Sequence, residues 1–293
     1  MYTNLKAKSS EKDQRQVCNE IKKMIDKADK IVIGAGSGLS ASAGINYSDE
    51  LFFKEYYPLY FEKGYRHIAD AISDHWYLTK ENARTYWGFW SRHIYNIYYR
   101  IEQLETYKNL YEVIKDKNYF VITTNVDDQF YRGNFDPNKV FAMQGSYGKF
   151  QCSQNCHNKV YDNKKFIEAM LDSMDDYDYR IKEECIPSCP VCGELLRPNL
   201  RIDHMFTEAN SLDNRLNYVE FLSSSEERII LVELGVGYNT PVVIRYPFDE
   251  LSSQNKNISL IRVNMNLAGP SSFEDGNIYT NQDAHELIKM IKG

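Results

Sequence analysis

Two sets of residues in this chain have the types and spacing to do chemistry. The first is Gly34-Ala35-Gly36-Ser37-Gly38-Leu39-Ser40-Ala41-Ser42-Ala43-Gly44, entered directly from Ile31-Val32-Ile33. A short apolar strand that runs into a glycine-rich turn lets the backbone approach a phosphate. Ser40 to Ala43 can then open a helix whose N-terminal N–H groups face the anion. No glycine triplet here has the G-x-G-x-x-G spacing, and a tight strand–loop turn without a ligand is the alternative reading. The second set is Cys152-x3-Cys156 and Cys189-x2-Cys192, separated by 32 residues. Two short cysteine pairs brought together make a tetrahedral thiolate site for zinc, and four thiolates leave no open coordination position, so the predicted metal is structural. Cys185 and His157 are further candidate ligands, which leaves the set open, and free buried cysteines are the alternative. The stretch 157–188 is charged and polar, so it is expected to need the metal as a staple.

The elements that must position these residues are legible in the apolar pattern. Val17, Ile21, Met24, Ile25 and Ala28 repeat at helical spacing, with Cys18 on the same helix as core. Strands are predicted at 31–33, at Tyr119 to Thr124, at Val140 to Met143, at Ile229 to Leu234 and at Ile258 to Val263. They end respectively in Gly34–Gly38, in Asn125-Val126-Asp127-Asp128, in Gln144-Gly145-Ser146, in Gly235 to Pro241 and in Asn264. Strands read as apolar throughout belong to a parallel sheet covered on both faces, and ligands of such sheets bind beyond the carboxyl ends of the strands. Gly36, Asn125, Gln144, Gly235 and Asn264 are therefore expected on one crevice. Residues 49–115 carry a heavy aromatic load at helical spacing, read as several helices, the last spanning Ser91 to Lys115. An aromatic-walled groove is one reading of that load. The core of a helical subdomain is the plainer one. A closing amphipathic helix is predicted from Ala284 to Ile291.

Composition excludes several classes. The chain has 293 residues, 43% hydrophobic and 14% aromatic, enough for a large core. The net charge of −6, with no Lys/Arg cluster, argues against nucleic-acid binding. No apolar run approaches the roughly 20 residues that span a bilayer. The polar stretch Met1 to Lys12 does not read as a signal peptide, so a cytoplasmic location is the expectation. Six cysteines, five of them between residues 152 and 192, favour metal over disulfides in a reducing compartment.

Taken together the motifs resemble the sirtuin family from about residue 14 to the C-terminus. Gly36-Ser37-Gly38-Leu39-Ser40-Ala41-Ser42-Ala43-Gly44-Ile45 resembles its glycine-rich NAD loop, and Thr124-Asn125-Val126-Asp127 its Gln-Asn-Ile-Asp segment. The four paired cysteines resemble its zinc ribbon, and Cys192-Gly193-Glu194-Leu195-Leu196-Arg197-Pro198 the segment that follows it. Leu234-Gly235-Val236-Gly237 and Val263-Asn264 sit where the family contacts the cofactor's phosphates and adenosine ribose. Two departures matter. Asn46-Tyr47-Ser48-Asp49 stands where deacylating sirtuins have Pro-Asp-Phe-Arg, and Gln144-Gly145 stands where they have His-Gly. That histidine is the family's general base, a task glutamine cannot perform because it has no titratable nitrogen. These departures and the helical insert resemble the class M, macrodomain-linked branch of bacterial sirtuins.

The resemblance implies a Rossmann-like parallel sheet with helices on both faces, a small zinc-ribbon module and a helical insertion. The NAD-binding domain would comprise 13–48, 117–150 and 198–293, the insertion 49–116 and the zinc module 151–197. It implies NAD as cosubstrate, one structural zinc, and an NAD-dependent protein mono-ADP-ribosyltransferase that releases nicotinamide. The implied acceptor is a lipoylated carrier resembling the glycine-cleavage H protein, and a macrodomain ADP-ribosyl hydrolase is the implied counter-enzyme. Asn125, Asp127 and Gln144 are the implied catalytic residues. Gly34, Ala35, Gly36, Ser40, Gly44, Gly235, Gly237 and Asn264 join them in holding the cofactor, and Cys152, Cys156, Cys189 and Cys192 hold the metal. Lysine deacylation and non-catalytic sensing of NAD or ADP-ribose are the alternatives.

Overall fold

The computed structural model describes residues 11–208, 211–223, 226–238, 241–267 and 271–293. Residues 1–10 of the polar N-terminal stretch and residues 239–240 of the predicted turn after Leu234 lie outside them. Among the described residues no helix is long and apolar enough to cross a membrane.

The chain begins with α1 (Glu11–Lys27), which buries Val17, Cys18, Ile21 and Ile25 on one face. Next come β1 (Lys30–Ala35) and the short α2 (Ser37–Ser42), followed by the insertion helices α3 (Glu50–Tyr56), α4 (Pro58–Glu62), α5 (Ile68–Asp74) and α6 (Ala83–Ile94). After α7 (Glu105–Ile114), β2 (Tyr119–Thr123), α8 (Gln129–Arg132) and β3 (Val140–Ala142) lead into a small module of β4 (Gly145–Cys152), β5 (Val160–Asp162), α9 (Lys164–Asp172) and β6 (Leu196–Leu200). The chain then returns to the main sheet through α10 (Leu212–Leu222), β7 (Ile229–Leu234), α11 (Arg245–Gln254), β8 (Ile258–Val263), β9 (Ser272–Glu274), β10 (Asn277–Thr280) and α12 (Ala284–Lys292).

Among the described residues the main sheet runs β3-β2-β1-β7-β8-β10-β9, and every pairing is parallel except β10 with β9. Alternate residues serve opposite faces, as the period of a strand requires. Ile31, Ile33, Val121, Val232 and Ile261 pack with α1, α7 and α12, while Val32, Phe120, Ile122, Leu231 and Leu260 pack with Ile244 and Phe248 near α11. Both faces are thus covered, as the apolar strands predict. The small sheet is antiparallel, in the order β5-β4-β6. Much of the insertion's aromatic load is core: Phe53, Tyr57, Trp87 and Phe89 are fully buried, in a second cluster shared with Phe150, Ile167 and Met170 of the small module, while Tyr77 and Tyr95 are exposed. The stretch 157–188 therefore buries more apolar surface than its composition suggests, and α9 is anchored on that cluster as well as by any metal.

Two expectations are corrected. The predicted helix from Ser91 to Lys115 is broken. After α6 the chain forms a π-helical turn at Tyr95–Tyr99, then an irregular stretch at 100–104, before α7 joins the layer under the sheet. Buried Gln129 stabilises the break, since its amide donates to Glu102 O at 2.9 Å and accepts from Leu104 N at 2.9 Å. Helical spacing continues through the break because both helices bury apolar faces, so periodicity alone does not reveal it. The strands are also not apolar throughout. Glu233 in β7 is completely buried and meets Arg262 of β8 through two bonds of 2.8 Å, with Arg245 of α11 at 3.2 Å. Removing the shared acid would leave the buried Arg245 guanidinium without its acid and Arg262 with only Asp249, at 2.7 Å. Glu233→Ala is expected to cost about 3–5 kcal/mol in urea denaturation, and a loss below about 1 kcal/mol would show the pairs to be dispensable.

Candidate functional site

Parallel pairing puts the carboxyl ends of β1, β2, β3, β7 and β8 on one edge of the sheet. Two turns meet there backbone to backbone. Gly38 N donates to Gly235 O at 2.9 Å, and Gly36 N donates to Leu234 O at 3.0 Å. Gly235 has φ +61°, and a Cβ there would lie 2.3 Å from Leu39 N. A Cβ on Gly36 would lie 2.8 Å from Gly235 O, so this glycine serves the contact between the two turns. Gly34 faces the other way: a Cβ would strike Phe248 at 2.5 Å. Ala35 is buried and its carbonyl accepts from Thr123 Oγ1 at 3.0 Å and Thr124 N at 3.1 Å. Gly44 ends the α2 segment at φ +107°, exposed and with nothing near its missing side chain. Gly237 is exposed, and Asn264 Nδ2 ties the end of β8 to Val236 O at 2.7 Å.

A buried polar network occupies the junction of β1 and β2. Asn125, Asp127 and Ser40 are nearly inaccessible, as is Tyr107 of α7. Ser40 Oγ donates to Asp127 Oδ2 at 2.6 Å and lies 2.6 Å from Tyr107 OH. With Asp127 ionised, the serine hydrogen is committed to it, so Tyr107 is the donor to Ser40. Asn125 Nδ2 faces Gly36 O at 3.1 Å, Ser40 Oγ at 3.2 Å and Tyr107 OH at 3.1 Å, more acceptors than its two N–H groups can serve at once. Asp127 also accepts from Gln129 N at 3.2 Å. Burial pushes the Asp127 acid up, and the Ser40 bond opposes it. Sequence reasoning missed Tyr107, which reads there as one more aromatic on a helix. Only its hydroxyl contacts reveal it.

Gln144 lies in the turn between β3 and β4, its carbonyl accepting from Arg201 N at 3.0 Å. The following Gly145 has φ +93°, and a Cβ would lie 1.9 Å from Asn199 O, so a glycine is obligatory after Gln144. Beside this turn opens a cavity of about 470 Å³, whose walls include Asp128, Arg132, Ser146, Phe206 and Glu208. On the insertion side, Tyr47 of the altered 46–49 segment ends a chain of hydrogen bonds. Tyr57 OH meets His93 Nδ1 at 2.9 Å, His93 Nε2 meets Tyr147 OH at 3.0 Å, and Tyr147 OH meets Tyr47 OH at 3.0 Å. Burial pushes His93 down to about 3, so the ring is neutral and donates to one tyrosine while accepting from the other.

Cys152, Cys156, Cys189 and Cys192 converge, with all four Sγ atoms within 4.8 Å of one another. Cys152 and Cys192 sulfurs are 3.6 Å apart, and those of Cys156 and Cys189 are 3.7 Å apart. A tetrahedron with Zn–S bonds of about 2.3 Å has edges of about 3.8 Å, so the residues present fit zinc. The two spare candidates fall outside the set. Cys185 Sγ contacts Ala169 O at 3.7 Å. His157 Nε2 lies 3.3 Å from Cys189 Sγ and 2.9 Å from Tyr161 OH, in position to brace a ligand.

No family model matches the chain. A protein named protein ADP-ribosyltransferase, from Staphylococcus aureus, is 34% identical over 270 residues, covering 90% of this chain and 83% of that protein. A probable bifunctional ADP-ribose hydrolase/ADP-ribosyltransferase from Fusarium oxysporum f. sp. cubense is 26% identical over 249 residues, covering 82% of this chain and 41% of that protein. Among solved structures, a Sir2 protein with a p53 peptide and NAD+ superposes with a TM-score of 0.52 at 19% identity, covering 93% of this chain and 95% of that one, which bears on the fold. With the two glycine turns, the cysteine cluster and glutamine in place of the deacylase histidine, the chain belongs to the sirtuin family, among its NAD-dependent protein ADP-ribosyltransferases.

Proposed function

We propose that NAD lies across the carboxyl edge of the sheet, its phosphates on the turn from Gly34 to Gly44 and on Gly235–Gly237, its adenosine ribose at Asn264. Asp127 accepts from the nicotinamide carboxamide, Asn125 orders the ribose hydroxyls, and Gln144 holds that ribose from the other side. The bond from C1′ to nicotinamide breaks with its electron pair leaving on nicotinamide. The acceptor's nucleophile forms the new bond at C1′. Breaking that bond depends on positioning and electrostatics more than on a base, which suits a site with glutamine in place of histidine. That substitution is the observation that carries the reading. The acceptor is a lipoylated carrier of the glycine-cleavage H type in the cytoplasm, and a macrodomain hydrolase removes the modification. The name of the Fusarium relative, which couples a hydrolase to a transferase, supports the latter pairing.

The test is labelled NAD with the lipoylated and unlipoylated carrier. Label is expected on the lipoylated form. Gln144→Ala is expected to lower that transfer about 10- to 100-fold by loosening the ribose. Gln144→His is expected to restore little acetyl-lysine cleavage, because the segment Asn46-Tyr47-Ser48-Asp49 also differs. Robust deacetylation by the parent, or full transfer by Gln144→Ala, would overturn the reading.

A further inference from the structure

We propose that Asp128 is a positioning residue, tying the turn that carries Gln144 to the loop that carries Asn125 and Asp127. The inference rests on the role given to Gln144 above. Asp128 opens α8 at φ 55° and ψ 21°, a left-handed conformation that aspartate enters more readily than most residues with a Cβ because its short side chain can bond locally.

Here the surroundings are specific. Asp128 Oδ2 accepts from Ser146 Oγ at 2.6 Å and from Tyr98 OH at 3.0 Å. Ser146 Oγ in turn accepts from Gly148 N at 2.9 Å. One residue along, Tyr147 N donates to Val126 O at 2.9 Å. The segments 126–128 and 146–148 are thus laced together, and Gln144-Gly145 is the entry to the second of them. A carboxylate oxygen that accepts from two hydroxyls makes stronger bonds than a neutral one, so the tie is tightest with Asp128 ionised.

The groups facing Asp128 come from every neighbouring element. Asp127 precedes it, and Tyr131 and Arg132 follow on α8, with the Arg132 guanidinium 4.4 Å from the Tyr98 ring centre. Lys149 of β4 lines the same cavity and pairs with Asp162, and Glu208 lines it and pairs with Arg201. Burial pushes the Asp128 acid up to about 6 against the opposing pull of Ser146 and Tyr98, with Asp127 adding to the rise and Arg132 opposing it. The sign follows: the tie is complete above neutral pH and loosens as pH falls through about 6.

Two variants separate backbone from carboxylate. Asp128→Gly accepts the left-handed conformation and removes the acceptor oxygens, whereas Asp128→Asn tolerates it and keeps an oxygen without the charge. Hydrogen–deuterium exchange of the free enzyme reads the tie at the Tyr147 and Gly148 amides. Nicotinamide release from NAD with the lipoylated H-type carrier reads its consequence. In Asp128→Gly, exchange at both amides is expected to rise about tenfold or more. Its kcat is expected to fall up to about 100-fold with KM for NAD nearly unchanged. The parent should lose turnover below about pH 6, and Asp128→Asn, uncharged at every pH, should lose that acidic limb because its turnover at pH 8 is already down near the parent's low-pH level. Parent-like exchange and an unaltered pH profile in Asp128→Gly would overturn the proposal. Raised exchange with undiminished turnover would uphold the tie and refute the role given to Gln144.

Discussion

Cys189→Ser is expected to abolish stoichiometric zinc and to melt the small module. Four sulfurs at tetrahedral edge distances bind one metal as a unit, and replacing one thiolate by a hydroxyl removes a ligand that zinc prefers. Apparent binding energies of structural zinc in small peptides are about 10–16 kcal/mol, comparable with the whole stability of a domain, about 5–15 kcal/mol. Not all of that becomes global unfolding. Ile167, Met170 and Ile181 keep the module docked on the insertion's core, so the segments around the cysteine pairs melt first. The loss still reaches the crevice, because β4 runs from Gly145 to Cys152 and joins metal to Gln144 through one strand. Metal analysis of the purified variant and its thermal melt, beside the parent with and without a chelator, check this. Stoichiometric zinc in Cys189→Ser, or a parent melt unmoved by metal removal, would refute it.

Asn125→Ala is expected to lower ADP-ribosyl transfer by about 10²–10³-fold, or about 3–4 kcal/mol of barrier. The amide sits at the centre of the Ser40, Tyr107 and Gly36 contacts, held before any ligand arrives. Preorganised dipoles of this kind act where charge develops, here on the ribose as nicotinamide departs. Stability should fall far less, by about 1–2 kcal/mol, since the remaining hydroxyls can still pair with each other. Initial rates of nicotinamide release with the lipoylated carrier, with a denaturation curve on the same sample, separate the two effects. A folded variant with transfer within about threefold of the parent would remove Asn125 from the catalytic set.

The geometry also changes which substitutions are informative. Gly36 invites an acidic replacement to repel a pyrophosphate. Because its missing side chain points at Gly235 O, such a variant would disturb the meeting of the two turns before any cofactor entered. Substitutions at Asn125 or Gln144 avoid this difficulty.

Local pattern alone determined a good deal of this protein. The five main parallel strands, the first and last helices and the two cysteine pairs are written in short runs of sequence, because strand period, helix period and metal-ligand spacing are local properties, while glutamine at 144 gains meaning only through the resemblance to the sirtuin family. Two short strands, β9 at the edge of the sheet and β10 beside it, escaped because three or four residues carry too little period to read. The tertiary structure decided whatever depends on partners distant in the chain. Glu233 lies in an apolar run and is tolerated there only because Arg262 and Arg245 arrive from β8 and α11. Tyr107 and Ser40 are 67 residues apart, and only packing brings their hydroxyls together. Exclusion of Cys185 and His157 from the metal set, and the left-handed turn that aims Asp128 at Ser146, likewise follow from how segments meet. Periodicity reports which face of an element is buried. It is silent on which polar group waits on the other side.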